Sequence, residues 1–128
     1  MNLLLDTHAF LWFVWGHKNL SGTAQALIAD PLNQVFCSAA SHWEIAIKTS
    51  TGKLILTVPF KDLIEQSLAK NNFMPMAIEV AHSDAVLRLP FHHRDPFDRM
   101  LIAQAMVQQM PIVSNETLFD AYGVQRLW

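Results

Sequence analysis

Short apolar runs of four or five residues alternate along this chain with longer stretches in which apolar residues recur at helical spacing. The short runs are typical of strands buried on both faces, and the longer stretches are typical of helices. We therefore predict five strands, at 2–5, 34–38, 74–78, 111–114 and 124–128. The predicted helices occupy 7–15, 22–29, 42–50, 59–68, 79–89, 96–110 and 117–122, and 54–58 is extended or loop.

Capping residues support several of these helix boundaries. Asp95 followed by Pro96 predicts an N-cap with proline at the first helical position. Ser21 and Ser41 can cap their helices in the same way, and Gly16 can close the first one. The helix behind Asp95 is apolar nearly all round, which predicts that it is buried.

Strands that alternate with helices indicate βαβ units, and these units build a mainly parallel sheet covered on both faces. The predicted fold class is therefore α/β, a three-layer α/β/α sandwich around a five-stranded sheet. At 128 residues without a linker or repeat, the chain is expected to be a single domain, 1–128.

Composition excludes several classes of protein. With 52% apolar and 16% charged residues the chain is not disordered, and a net charge of −2 gives no overall attraction to nucleic acid. A single cysteine, Cys37, excludes an internal disulfide and fits a reducing cytoplasm. Neither a signal peptide nor a membrane span is expected, because Asp6 interrupts the first apolar run and no run approaches roughly 20 residues. The surplus of apolar and aromatic residues predicts a surface for an oligomer or a partner.

Four acids fall at one predicted edge of the sheet. Asp6 ends the first strand, Glu44 lies one turn into a helix after the second, and Asp98 opens the helix before the fourth. Glu116 follows the fourth strand. Ligands of such sheets bind at the carboxyl ends of the strands, and converging carboxylates repel unless a hard divalent cation such as Mg²⁺ or Mn²⁺ neutralises them. Water activated by such an ion hydrolyses phosphodiesters.

Each acid also has a purely structural explanation. Asp6 and Asp95 can be helix caps, Asp98 the acid of a capping box, and Glu116 a first-turn acid. Glu44 can form an exposed salt bridge with Lys48, four residues on. One shared site explains all four sheet-edge acids at once.

The segments LLLDTHAFLW, SAASHWEIAIKTSTGKL, HHRDPFDRMLIAQA and IVSNETLFDAYGV, in this order, resemble the PIN-domain family and, more closely, its VapC-type ribonuclease toxins. The resemblance implies that Asp6, Glu44 and Asp98 are the core acids that bind Mg²⁺ or Mn²⁺. Glu116 stands where the family commonly has aspartate, so the resemblance implies a fourth catalytic acid that contacts the metal directly or through water. Asp95 is an extra acid that can contact a second metal ion or act structurally.

Further residues are implied as neighbours of the metal or of RNA. Thr7, Ser38 and Ser114 match small hydroxyl positions beside the acids and can support them or contact phosphate. Among basic residues, Lys48, Lys53, Arg94 and Arg99 lie nearest the predicted edge, and we expect them to contact phosphates rather than be solvated helix-end charges. His92 and His93 without cysteine or a distant histidine make a weak zinc motif, so we expect surface residues near the RNA. His8 and His42 are interpreted as packing residues, and the alternative for either is a contact with substrate.

The function implied by the resemblance is that of a metal-dependent endoribonuclease, the toxin of a toxin–antitoxin pair. It would cleave RNA, form a homodimer and be neutralised by a small antitoxin that blocks the acidic groove. A haloacid-dehalogenase-like phosphatase needs an aspartate two residues after the first, where this chain has His8. The alternative from another class is a catalytically silent module of the same fold that binds RNA or protein.

Overall fold

The computed structural model describes all residues, 1–128, and contains a single five-stranded sheet in the order β3-β2-β1-β4-β5. Every neighbouring pair of strands is parallel, which confirms the predicted α/β class. The strands are β1 (Asn2–Leu5), β2 (Gln34–Ser38), β3 (Met74–Met76), β4 (Ile112–Val113) and β5 (Arg126–Leu127). The helices are α1 (Thr7–Trp15), α2 (Gly22–Ala29), α3 (Ala39–Ser50), α4 (Phe60–Asn71), α5 (Val80–Leu87), α6 (Pro96–Gln108) and a 3₁₀ helix at Thr117–Tyr122.

The central strand β1 separates two apolar cores. Side chains alternate across a strand, so Leu3 and Leu5 belong to one core and Leu4 to the other. Phe10 of α1 and Ile64 of α4 pack in the core of Leu3. The opposite core is formed by residues of α5 and α6 together with Leu4. Helices therefore cover both faces of the sheet, as the three-layer prediction requires.

Several predicted boundaries are wrong by a few residues. The cap of α3 is Ser38, whose hydroxyl accepts the backbone N–H of Ala40, and Ser41 lies inside the helix. The α4 helix continues to Asn71 because Asn72 takes the left-handed conformation, φ 54°, that ends it. The strand predicted at 74–78 is three residues long, and 117–122 forms a 3₁₀ helix. These differences arise from tertiary contacts and caps that periodicity does not contain.

The α6 helix is buried along only part of its length. Leu101 and Ile102 are fully buried, and each such side chain contributes about 1.5–3 kcal/mol of transfer free energy. Met106 and Val107 are exposed by 46% and 39%, so the last turn leaves the core. Burial at the first turns fixes the end of α6 that carries Asp98. None of the helices has the length and the apolar run that crossing a membrane requires.

Candidate active site

A cavity of about 270 Å³ opens at the carboxyl ends of the strands, and five carboxylates line it. The structure thus brings together the four acids of the predicted sheet edge and adds Asp95 to them. The lining consists of Asp6, His8, Trp12, Glu44, Lys48, Asp95, Asp98, Asn115 and Glu116. Of its charged side chains only Lys48 carries a fixed positive charge, so negative charge dominates the cavity.

Asp6 is placed by the end of β1 and the start of α1. Its Oδ1 accepts the backbone N–H of Ala9 at 2.7 Å, so it caps α1 as the structural explanation predicts, and it also faces the cavity. Burial raises the pKa of the Asp6 carboxyl to about 6, against hydrogen bonds from Ser114 and Ala9 that lower it. The charges of Glu44 and Glu116 raise this pKa further. A capping role alone would not require these additional acids.

Glu44 is buried on α3, and both of its oxygens have partners. The Thr7 hydroxyl donates to Oε1 at 2.7 Å, with the Ser41 hydroxyl 3.0 Å from Thr7 Oγ1. Lys48 Nζ forms an ion pair with Oε2. The pair expected from the i,i+4 spacing therefore exists, but its carboxylate is only 5% exposed, so it is not an ordinary surface salt bridge.

Asp98 occupies the first turn of α6, and Asp95 caps that turn by accepting the backbone N–H groups of Phe97 and Asp98. The pKa of the Asp98 carboxyl is raised to about 7. Burial is the largest cause of this shift, and the negative charge of Asp95 is the second. The Asp6 and Glu44 charges raise this pKa too, whereas His93 lowers it. His93 Nε2 lies 2.8 Å from Asp98 Oδ2. Asp98 therefore lies among three other carboxylates, those of Asp95, Asp6 and Glu44.

The donor set fits a hard divalent cation, although not by direct ligation from three acids. No group of three or more His, Cys, Asp or Glu side chains is arranged to hold one metal ion. All five acids offer hard oxygen donors. The pKa values of Asp6 and Asp98 are raised mainly by burial and further by neighbouring carboxylates, and a cation would offset the second of these causes. Mg²⁺ commonly retains several waters and takes only one or two carboxylates.

The three predicted hydroxyl residues have different positions. Thr7 supports Glu44, and Ser114 contacts Asp6 while its oxygen accepts the backbone N–H of Glu116 at 2.9 Å. Ser38 is fully buried, and its hydroxyl donates to Gln104 Oε1 at 2.6 Å. Of the two predicted roles for Ser38, contact with phosphate is excluded by its burial, and its hydroxyl is used by Gln104 rather than by one of the acids.

The four predicted basic residues are also divided by the structure. Lys48 lines the acid cavity, and Lys53 lines a neighbouring cavity that shares Lys48 with it. Arg94 is exposed and borders a third, apolar cavity. Arg99 is buried, and its guanidinium donates to backbone carbonyls of the loop before α6. The prediction that Arg99 contacts phosphate is therefore wrong, because its donors are already used inside the protein.

Sequence reasoning missed some residues of the cavity. His8 is exposed and lines the cavity beside Trp12, with 5.3 Å between the ring centroids, which fits the alternative of a substrate contact better than the packing role. Asn115 lies between Ser114 and Glu116, so the sheet-edge rule that selected Glu116 would also have selected it. His93 was expected at the surface, whereas its side chain is 12% exposed and contacts Asp98. Its proximity in sequence to Asp95 and Asp98 was the available signal.

Comparison with known proteins agrees with this architecture. A model of the PIN domain family matches residues 3–125. Ribonuclease VapC16 of Mycobacterium tuberculosis is 31% identical over 71 residues, which are 52% of this chain and 50% of that protein. The chain thus spans about half the length of the curated relative it matches.

Solved structures share the fold at low identity. VapBC2 from Rickettsia felis, bound to a DNA fragment from its promoter, has a TM-score of 0.73 at 12% identity over 100% of both chains. VapBC-1 from nontypeable Haemophilus influenzae has a TM-score of 0.66 at 13% sequence identity, and the match covers 98% of this chain and 96% of that one. VapC20 of Mycobacterium tuberculosis, a sarcin–ricin loop cleaving toxin, has a TM-score of 0.65 at 13% sequence identity, and the match covers 95% of each chain. Because the family model spans the chain from β1 to the residue before β5, this chain belongs to the PIN-domain family.

Proposed function

We propose that this chain is a metal-dependent endoribonuclease and that it acts as the toxin of a toxin–antitoxin pair. The single observation that carries the proposal is the cavity in which five carboxylates face one another with one fixed cationic side chain among them. Mutual repulsion and burial destabilise this arrangement in the absence of a cation. Because these acids destabilise the folded protein, stability does not explain their presence, and a functional site does.

Asp6 and Asp98 are the residues best placed to hold a cation, because both face the cavity and both have raised pKa values. Glu44, Glu116 and Asp95 would act through intervening water. A bound Mg²⁺ or Mn²⁺ would supply positive charge at the phosphate and a water of lowered pKa. Thr7 and Ser114 would hold Glu44 and Asp6 in place, and Lys48 is the basic side chain available to the phosphate. No covalent intermediate on the protein is required.

The test is cleavage of RNA by purified protein in Mg²⁺ or Mn²⁺, with and without EDTA. We expect Asp6→Asn and Asp98→Asn each to lower the rate by at least about a hundredfold while circular dichroism remains unchanged. Asp62→Asn, on the exposed face of α4, is the matched control and should cleave like the wild type. Wild-type rates from both cavity variants would show that the site is wrongly assigned, and no cleavage by the wild type with either ion would refute the enzyme.

The proposal of an antitoxin partner is supported by the structures of similar fold, of which several are toxin–antitoxin complexes. We infer a cytoplasmic homodimer whose acid cavity is blocked by a small antitoxin. Exposed Trp43 and Phe91, at 61% and 76%, border the apolar cavity of about 440 Å³ beside the acids and support a protein interface. Expression should arrest growth for the wild type and not for Asp6→Asn, and light scattering should give twice the mass of the chain.

A catalytically silent binding module is the second candidate, favoured by one observation. The oxygens of Glu44 contact Thr7 and Lys48, so part of the negative charge of the cavity is balanced without a cation. Calorimetric titration with Mn²⁺ separates the two candidates when it is combined with the cleavage assay. A silent module would bind RNA without cleaving it in either ion.

A further inference from the structure

The loop between α5 and α6 is held by two side chains that have no place in the acid cavity. The Arg99 guanidinium lies on the inner side of the loop, with Phe91 packed over it at 4.1 Å. The carbonyls that accept its N–H groups are those of Val86, Leu89, Pro90 and His93. A planar guanidinium with five donors can join several carbonyls at once, so Arg99 fixes the path of this loop.

Tyr122 holds the same loop from the 3₁₀ helix. Its hydroxyl donates to the carbonyl of Pro90 at 2.7 Å and accepts the backbone N–H of His93 at 2.8 Å. The backbone of His93 is thus bound at its N–H by Tyr122 and at its carbonyl by Arg99. The position of the His93 ring is consequently set by elements on both sides of it.

The ring of His93 is oriented by its own hydrogen bond. Nδ1 accepts the backbone N–H of Asp95 at 3.2 Å, so Nε2 is the ring nitrogen left to donate a hydrogen bond. This Nε2 is buried, has no hydrogen-bond partner of good geometry and lies 2.8 Å from Asp98 Oδ2. A buried donor without an acceptor is costly, and the Asp98 carboxylate is the acceptor within reach. Phe119 packs against the ring at 5.9 Å and confines it further.

We propose that His93 is a positioning residue, which holds Oδ2 of Asp98 so that the carboxylate faces the cavity in one orientation. The inference rests on the proposed function, since it concerns the acid that would hold the cation. Residues in contact with a metal ligand orient it, and their loss typically costs 10- to 100-fold in metal affinity or activity. Arg99 and Tyr122 act one step further away, through the loop that carries His93.

Two substitutions separate positioning from mere support of the loop. His93→Asn keeps an acceptor for the N–H of Asp95 but is too short to reach Asp98, whereas the amide of His93→Gln can reach toward Asp98. His17→Asn is the matched control, because His17 Nδ1 accepts the N–H of Asn19 in the same local geometry and lies outside the cavity lining. Thermal unfolding of each variant reports on the fold.

The measurements are Mn²⁺ affinity by calorimetry and the kcat and KM of RNA cleavage. We expect His93→Asn to weaken Mn²⁺ binding and to lower kcat by about 10- to 100-fold with KM little changed. His93→Gln should recover most of both losses, and His17→Asn should match the wild type. Wild-type Mn²⁺ affinity and kcat in His93→Asn would overturn the positioning role and leave the proposed function standing. Equal losses of both in the two His93 variants, together with a lowered Tm, would do the same. A wild type that neither binds Mn²⁺ nor cleaves RNA would remove the proposed function and this inference together.

Discussion

Two buried polar regions of this protein differ in how their groups are satisfied. In the region of His82 and Gln104, the Ser38 hydroxyl donates to Gln104 Oε1 and the Gln104 amide faces the carbonyl of Ala77. His82 accepts the backbone N–H of Glu79 and lies 3.0 Å from the amide of Gln108. Each of these polar side chains has a partner inside the protein, and none of them is a carboxylate. In the acid cavity, by contrast, carboxylates lie opposite carboxylates.

The contrast distinguishes a polar core from a site. Polar groups that form hydrogen bonds with one another inside the protein hold α5, α6 and β2 in one arrangement. They need no ligand to complete their hydrogen bonding. Five carboxylates share the cavity with one lysine, and at Asp6 and Asp98 burial together with the charges of neighbouring acids raises the pKa. Burial of polar residues is common to both regions, so it is the excess of carboxylates over the single lysine, Lys48, that identifies the site.

The largest effect that we expect from this contrast is on the pH dependence of stability. The folded protein keeps protons on Asp6 and Asp98 up to about pH 6 and 7, whereas the unfolded chain releases them near pH 3.8. The metal-free protein should therefore lose stability as pH rises from about 4 to 8, by on the order of 7 kcal/mol from this pair at about 1.4 kcal/mol per pKa unit. Urea denaturation across this range measures the loss.

Two controls belong to this pH experiment. Asp98→Asn should flatten the profile because it removes one of the two titrating carboxyls. Added Mg²⁺ should restore stability at pH 8 in the wild type if the cavity holds a cation. A wild-type profile that is flat or rises between pH 4 and 8 would contradict the charge imbalance.

A smaller loss of stability is expected when the satisfied region is disrupted. Gln104→Leu keeps much of the volume but leaves the Ser38 hydroxyl and the Ala77 carbonyl without their partner. We expect a loss of about 3 kcal/mol in the free energy of unfolding, measured in urea at constant pH. Gln25→Leu, on an exposed position of α2, is the control and should change this free energy by less than about 0.5 kcal/mol. Equal changes in both variants would mean that the network is not stabilising.

The smallest effect concerns the one lysine of the cavity. Burial lowers the pKa of Lys48, but its hydrogen bond to Glu44 and the charges of Glu44, Asp95 and Asp98 raise it overall. Lys48→Met should destabilise the metal-free protein by about 1 kcal/mol, a modest value because Lys48 is about one-third exposed. Mn²⁺ should bind a few-fold more tightly, since a competing cation is gone. Lys61→Met, in the exposed pair with Glu65, should leave Mn²⁺ affinity unchanged. Weaker Mn²⁺ binding by Lys48→Met would instead assign Lys48 to the support of the acids.

The sequence by itself determined the alternation of strands and helices and the edge at which Asp6, Asp98 and Glu116 lie. These follow from local periodicity and from the general rule that parallel strands end at a common edge. It also determined that Asp95 caps α6, because a cap depends only on adjacent residues.

Only the tertiary structure decided which polar side chains face the cavity and which are used inside the protein. Arg99 and Asp98 are adjacent in sequence, yet one binds loop carbonyls in the interior and the other lines the cavity. Ser38 and Ser114 both end strands, yet Ser38 binds Gln104, 66 residues away, and Ser114 contacts Asp6. The physical reason is that a side chain's partner is set by distant backbone and helix packing, which a local pattern does not contain.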